Sequence, residues 1–226
     1  MKKLPLFIAL DLERKDLVLS IVEKTQDYAQ AYKIGPRLFL IYGKALIEDI
    51  KKRAPDSQIF LDFKFYDIPS STVEAVQSAF QVGADFVTVH ACVGEETLQP
   101  LYQLERQLSQ ERAFRILFVT VLSSVASSLE TESLVLSLAD SVYKTGLRGL
   151  VCSPLEAKTL RSKYPDVFLV TPGIRLEGDS KGDQKRVMSP LEALQAGSSA
   201  VVMGRSLISQ SNLESVLNKL YCLMEK

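Results

Sequence analysis

The chain has no surplus of charge of either sign: lysine plus arginine and aspartate plus glutamate number 27 each. It therefore has no overall field to hold a polyanion, and no lysine/arginine run is long enough to make a local one, so nucleic acid is not an expected partner. Long hydrophobic runs are also missing. The longest apolar stretches have about the length of a buried strand, well short of the ~20 residues that cross a bilayer, and Met1 to Pro5 is too short for a signal peptide. The expected location is the cytoplasm, away from membranes. Cysteine is sparse: Cys92, Cys152 and Cys222 lie far apart with no C-x-x-C pair, which speaks against a zinc or redox couple and fits a reducing compartment. His90 is the single histidine, so a zinc site built on several imidazoles is excluded and little room remains for histidine acid/base chemistry. Chemistry then falls mainly to carboxylates, lysines and backbone.

What the sequence does have is apolar material, 46% hydrophobic against 24% charged residues, enough to fill a sizeable core. It comes in short runs rich in β-branched and aromatic residues: Leu6 to Leu12, Ala31 to Gly35, Ile59 to Phe65, Phe86 to Ala91, Arg115 to Leu122, Gly149 to Ser153, Phe168 to Ile174 and Ala200 to Gly204. Between them lie amphipathic stretches such as Lys15 to Ala29, Ser71 to Val82 and Ser133 to Thr145, with apolar residues at the three and four spacing of helices. Near-continuous apolar strands separated by helix-length segments imply a parallel sheet covered by helices. Eight such units predict a closed (β/α)8 TIM barrel occupying residues 1–226 as one catalytic domain. An open doubly wound sheet is the alternative; the G-x-G-x-x-G signature that would favour it is absent. In closed barrels, active sites form at the carboxyl ends of the strands, so polar residues there are the ones to examine.

The third run is the most informative. In Gln58-Ile59-Phe60-Leu61-Asp62-Phe63-Lys64-Phe65, Asp62 and Lys64 are two apart and share a strand face, while Leu61, Phe63 and Phe65 take the other. Three large apolar side chains must point at the covering helices, which turns Asp62 and Lys64 toward the barrel mouth. Enclosed charges cost several kcal/mol each before pairing, by a rough estimate, so something must offset that cost. An internal ion pair that only fixes register is one reading. A functional reading needs more charges nearby, and Lys33 in the second run and Asp11 at the end of the first supply them.

The motif Asp62-x-Lys64-x-x-Asp67-Ile68-Pro69 resembles the signature of the orotidine 5'-phosphate decarboxylase family. The resemblance extends along the whole chain through Ala9-Leu10-Asp11, Lys33, Pro172-Gly173-Ile174-Arg175 and Gly204-Arg205. Each short motif is weak alone, but their order and their positions at strand ends make the set specific. The resemblance implies decarboxylation of orotidine 5'-phosphate to UMP in pyrimidine biosynthesis without a cofactor. Lys64 is implied as proton donor to the ring carbanion, Asp62 as the group beside the departing carboxylate, and Lys33 and Asp67 as the rest of an alternating charged array. It further implies a homodimer in which Asp67 serves the neighbouring site. Asp11 would bind ribose hydroxyls, with a strand-end cap as its other reading. Thr120 would meet the pyrimidine edge. A threonine of the family has Ser71 at its place here, with Thr72 next to it.

Phosphate sites in such barrels use the loops after strands seven and eight, where Arg175, Gly204 and Arg205 fall; each arginine also reads as an ordinary solvated surface residue. The polar, glycine-broken segment Leu176 to Arg186 reads as a mobile lid or as a plain surface loop, and the resemblance gives Gln184 a contact to phosphate or base on closure. His90, beside Cys92, is expected to be structural, and Tyr32 and Tyr66 to pack. Two rivals stand. One is a magnesium-dependent sugar-phosphate decarboxylase or aldolase of the same suprafamily, against which Lys33 argues because a cation there would repel Mg2+. The other is a non-catalytic barrel that binds a nucleotide phosphate and has no need of Lys64.

Overall fold

The computed structural model describes residues 3–122, 125, 128–176 and 188–224. The chain runs β1 (Leu4–Ala9), α1 (Lys15–Thr25), β2 (Ala29–Ile34), α2 (Pro36–Arg53), β3 (Gln58–Phe65), α3 (Pro69–Gln81), β4 (Phe86–His90), α4 (Glu95–Glu111), β5 (Arg115–Val119) and α5 (Leu129–Thr145). It continues through β6 (Gly149–Val151), α6 (Ala157–Lys163), β7 (Phe168–Thr171), α7 (Pro190–Gln195), β8 (Ala200–Met203), α8 (Arg205–Ile208) and α9 (Leu213–Met224). Every strand pairs in parallel with the next and β8 pairs with β1, so the sheet closes into a (β/α)8 TIM barrel rather than an open doubly wound sheet.

Local chemistry sets the helix ends. Proline opens α2, α3 and α7, where its missing N–H would have no intrahelical partner and its fixed φ suits the first turn. Ser189 and Glu192 form a reciprocal capping box on α7, and Ser128 caps α5 by accepting from the Thr131 amide. Helix α2 is kinked at Gly43, whose φ of 56° and ψ of −150° fall in a region essentially reserved for glycine.

Strand alternation divides the core into two layers. Leu6, Ile8, Ile34, Ile59, Leu61, Val87 and Val89 face outward and pack under the helices. Inside the barrel, Phe7, Phe60 and Phe86 alternate with small residues at Ala9, Ala31 and Ala200. The rings of Phe86 and Phe168 stack at 5.7 Å, and Phe7 lies 5.1 Å from Phe86 and 5.8 Å from Phe60. Arg115, the first residue of β5, covers Phe168, the first of β7, at 5.0 Å, so this aromatic plug closes the amino end of the barrel. Burying each such side chain contributes about 1.5–3 kcal/mol, which makes the floor a stabilising element and the barrel interior a packed core rather than a pore.

Several strands end earlier than their apolar runs. β1 stops at Ala9, β5 at Val119 and β7 at Thr171, leaving Asp11, Val121, Leu122 and Pro172 in loops at the mouth. These positions are half-buried or exposed, and Val121, Leu122 and Pro172 line the cavity at the mouth.

Candidate active site

The floor explains where the charges stand. Lys33 is two residues beyond Ala31 on β2, and Asp62 is two beyond Phe60 on β3, so each side chain forms the next inward tier above the plug. Asp11 stands two beyond Ala9 in the loop after β1. Together they make an alternating row: Lys33 Nζ lies 3.0 Å from Asp11 Oδ1 and 3.6 Å from Asp62 Oδ2, and Lys64 Nζ lies 2.8 Å from Asp62 Oδ1. Opposite charges at these separations are worth several kcal/mol in a partly enclosed site, by order of magnitude, and this offsets the desolvation of the row. Asp62 and Lys33 are the enclosed members, with side chains 15% and 11% exposed, against 35% for Lys64. Burial, the largest influence on the Asp62 carboxyl, pushes its pKa up. The charges of Lys33 and Lys64, with hydrogen bonds from Lys64 and Thr88, outweigh it and hold the group below the usual carboxylate range.

Lys64 does not continue β3 regularly. Its φ is +52°, the one positive value outside glycine among the described residues. A left-handed lysine costs roughly 1–3 kcal/mol and persists only where the surroundings hold it. Its side chain faces the barrel mouth, not the helical layer, and lines a cavity of about 230 Å3 together with Asp11, Lys33 and Asp62. Phe63 and Phe65 pack outward against the helix-side core, as their alternation predicts.

The β7–β8 side of the same cavity carries Arg175, Gly204 and Arg205. Gly173, with φ +79°, turns the chain there, and Arg175 Nη1 donates to the Ile174 carbonyl at 3.0 Å. A Cβ at Gly204 would press against the Ala9 methyl at 3.3 Å, so glycine keeps that wall open. A smaller cavity of about 180 Å3 lies on the other side of the charged row, between it and the first turn of α2.

A model of the orotidine 5'-phosphate decarboxylase / HUMPS family matches residues 4–220. The chain belongs to this family. Among relatives named orotidine 5'-phosphate decarboxylase, that of Prochlorococcus marinus is 35% identical over 95% of this chain and 94% of its own length. That of Aliivibrio fischeri is 34% identical over 97% of both chains. The crystal structure of orotidine 5'-phosphate decarboxylase from Lactobacillus acidophilus superposes with a TM-score of 0.81 at 28% identity, covering 98% of this chain and 99% of that one.

The other candidate residues of this family member are placed as follows. Asp67 is exposed and outside the charged row; its Oδ1 accepts from the Ile68 amide at 2.7 Å. Thr72 is fully buried in the first turn of α3 and donates to the Asp67 carbonyl at 3.0 Å, so its hydroxyl is engaged by the loop before its own helix. Ser71 is half-buried and makes no side-chain hydrogen bond among the described residues. Thr120 points away from the cavity: its Oγ1 donates to the Val151 carbonyl at 3.2 Å, and Val119, Val121 and Leu122 form the wall there. Gln184 and the lid segment 177–187 lie outside the described residues. His90 does not line the cavity; it packs edge-on to Tyr66 at 5.9 Å, and burial, then the nearby Lys64 charge, lower its pKa. Tyr32 is fully buried, its hydroxyl donating to the Val22 carbonyl.

Divalent metal does not fit this mouth. The Lys33 ammonium fills the space between the Asp11 and Asp62 carboxylates, and no cluster of three or more acidic, histidine or cysteine residues suited to a metal occurs among the described residues. Sequence reasoning missed Thr88, which hydrogen-bonds Asp62, and the cavity-lining Cys152 and Ser153. The signal for Thr88 was its place between Phe86 and His90 on the inward face of β4.

Proposed function

We propose that this chain decarboxylates orotidine 5'-phosphate to UMP in the cytoplasm, as a homodimer that uses neither metal nor organic cofactor. The observation that carries the reading is the ammonium of Lys64, held 2.8 Å from Asp62 and directed into a cavity whose other side carries two arginines. The C6–carboxyl bond of the pyrimidine breaks, its electron pair stays on C6, and carbon dioxide leaves. That pair has no adjacent carbonyl to receive it, so the site must stabilise it electrostatically. Lys64 does this and transfers a proton from Nζ to C6, to be reprotonated from solvent. Asp62 stands beside the departing carboxylate and aims the ammonium through their ion pair, while Lys33 holds Asp62 from its other oxygen. Asp11 accepts from ribose hydroxyls, Arg175 and Arg205 bind the phosphate with backbone approaching at Gly204, Gln184 joins them on closure, and Ser71 contributes to nucleotide contacts.

Asp67 acts in the neighbouring protomer's site. Its exposure, and the exposed apolar side chains of its neighbours Tyr66 and Ile68 on the β3–α3 loop, support a covered face there, and Leu40 and Ile41 on the first half of α2 are exposed as well. The reaction is tested by mixing purified protein with orotidine 5'-phosphate in excess EDTA and following loss of orotate absorbance together with carbon dioxide release. Turnover that vanishes with chelator, or binding without turnover, sinks the reading. The shared site is tested by combining the Lys64→Ala and Asp67→Asn variants, each inactive alone. Exchanged dimers regain activity, since one of their two sites is intact.

A further inference from the structure

β3 leaves its register with β4 at the charged row. Leu61 pairs with Val87 and Phe65 pairs with Val89, so Asp62, Phe63 and Lys64 stand against Thr88 alone. Thr88 is fully buried, on the inward face of β4. Its Oγ1 accepts from the Lys64 amide at 2.8 Å and donates to Asp62 Oδ1 at 3.0 Å. Both directions are forced, because an amide only donates, an ionised carboxylate only accepts, and a hydroxyl has a single proton. One hydroxyl thus replaces the ladder bond that the bulge gives up, and it does so at the residue with the left-handed backbone.

We propose that Thr88 is the positioning residue for the proton transfer: its hydroxyl holds the Lys64 backbone in the left-handed turn and the Asp62 carboxylate against the ammonium, fixing where Nζ points. This rests on the reading of Lys64 as proton donor. β-Branching at Thr88 restricts χ1, so the hydroxyl has little freedom to leave either partner. Without it the half-buried Lys64 amide has no partner on β4, and the backbone relaxes toward ordinary strand angles that carry Nζ elsewhere. Displacement of a reacting group by about 1 Å costs on the order of a hundredfold in rate. Substrate affinity is set mainly by groups Thr88 does not touch.

The test compares Thr88→Val and Thr88→Ser with the parent and with Lys64→Ala, each as full-length protein whose folding is checked by thermal melting. Thr88→Val is expected to lower kcat about a hundredfold with KM within about threefold, and Thr88→Ser to recover most of the loss. A Thr88→Val enzyme with parental kcat overturns the inference, as does a raised KM with kcat unchanged or a serine variant as slow as the valine one. Should Thr88→Val not fold, Thr88→Ala is judged by the same kcat and KM outcomes. Lys64→Ala separates the two levels. If it turns over like the parent, the proton-donor reading falls and takes this one with it; if it is inactive while Thr88→Val is parental, only the role of Thr88 falls.

Discussion

The two ends of the barrel treat charge in opposite ways. At the amino end two charged clusters are tied to several partners each. Asp85 accepts from the Ile59 amide at 2.7 Å and from Arg112 at 2.8 Å, and Arg112 also donates to the Phe80 and Ala84 carbonyls. Arg161 does the same for the Gly197, Pro165 and Val167 carbonyls and the Ser199 hydroxyl. At the carboxyl end Lys64 has one ion pair, a positive φ and a side chain that ends in a cavity. The difference teaches that the mouth keeps a strained lysine whose charge is only partly satisfied, while the plug and its capping networks supply the stability that tolerates it.

Replacing residues at each end should therefore separate activity from stability. The largest effect is expected for Lys64→Ala, with a loss in kcat/KM of about 10^4-fold or more and little change in melting temperature; a melting loss comparable to that of a floor variant would break the contrast. At the floor, Arg112→Met leaves the enclosed Asp85 without its main partner. It should cost about 3 kcal/mol in a urea melt while kcat per folded molecule stays within about twofold. Between these lies Arg175→Ala, expected to raise KM about ten- to a hundredfold with a smaller change in kcat, the signature of a lost bond to a charged phosphate oxygen.

The smallest effect sharpens the comparison through pH. Glu105 on α4 accepts from the Ile116 amide at 2.6 Å at the amino end of β5. Burial raises its pKa from 4.5 to about 7 against that hydrogen bond and the nearby Arg115 charge. Because the folded value is the higher one, the native state binds more protons than the unfolded chain between these two values, and this group makes stability fall as pH rises through that window. Relative to Glu105→Gln, the parent should gain stability on acidification from about pH 7 toward 4.5. Parallel stability curves for the two proteins would show that the carboxyl is not enclosed. Asp62, held below the usual range, works in the opposite sense: its stabilisation is present above the ordinary carboxylate value and is lost only as pH falls below it.

The number and order of strands were legible because each run repeats one burial pattern, and Asp62 and Lys64 were legible as a pair because spacing by two is a local property. Thr120 shows the limit. The family resemblance assigns it the pyrimidine edge, but strand parity gives the wall to Val119 and Val121, and its hydroxyl donates to the Val151 carbonyl. Asp67 shows another: the motif sets it three residues from Lys64, yet the chain leaves it exposed and outside the charged row, bonded to the Ile68 amide. Thr88 could be placed on the inward face of β4, but its role was not legible: it depends on which residues of β3 stand opposite, and the register slip there has no signature in either strand alone.

The sequence by itself determined the barrel, the inward charges on β2 and β3, and the family, because periodicity and motif spacing are written along the chain. Only the tertiary structure decided that Lys64 takes a left-handed turn, that its ammonium meets Asp62 and not Asp67, and that one buried hydroxyl joins the two. Those outcomes depend on bonds between neighbouring strands, whose register is fixed by the closing of the whole sheet.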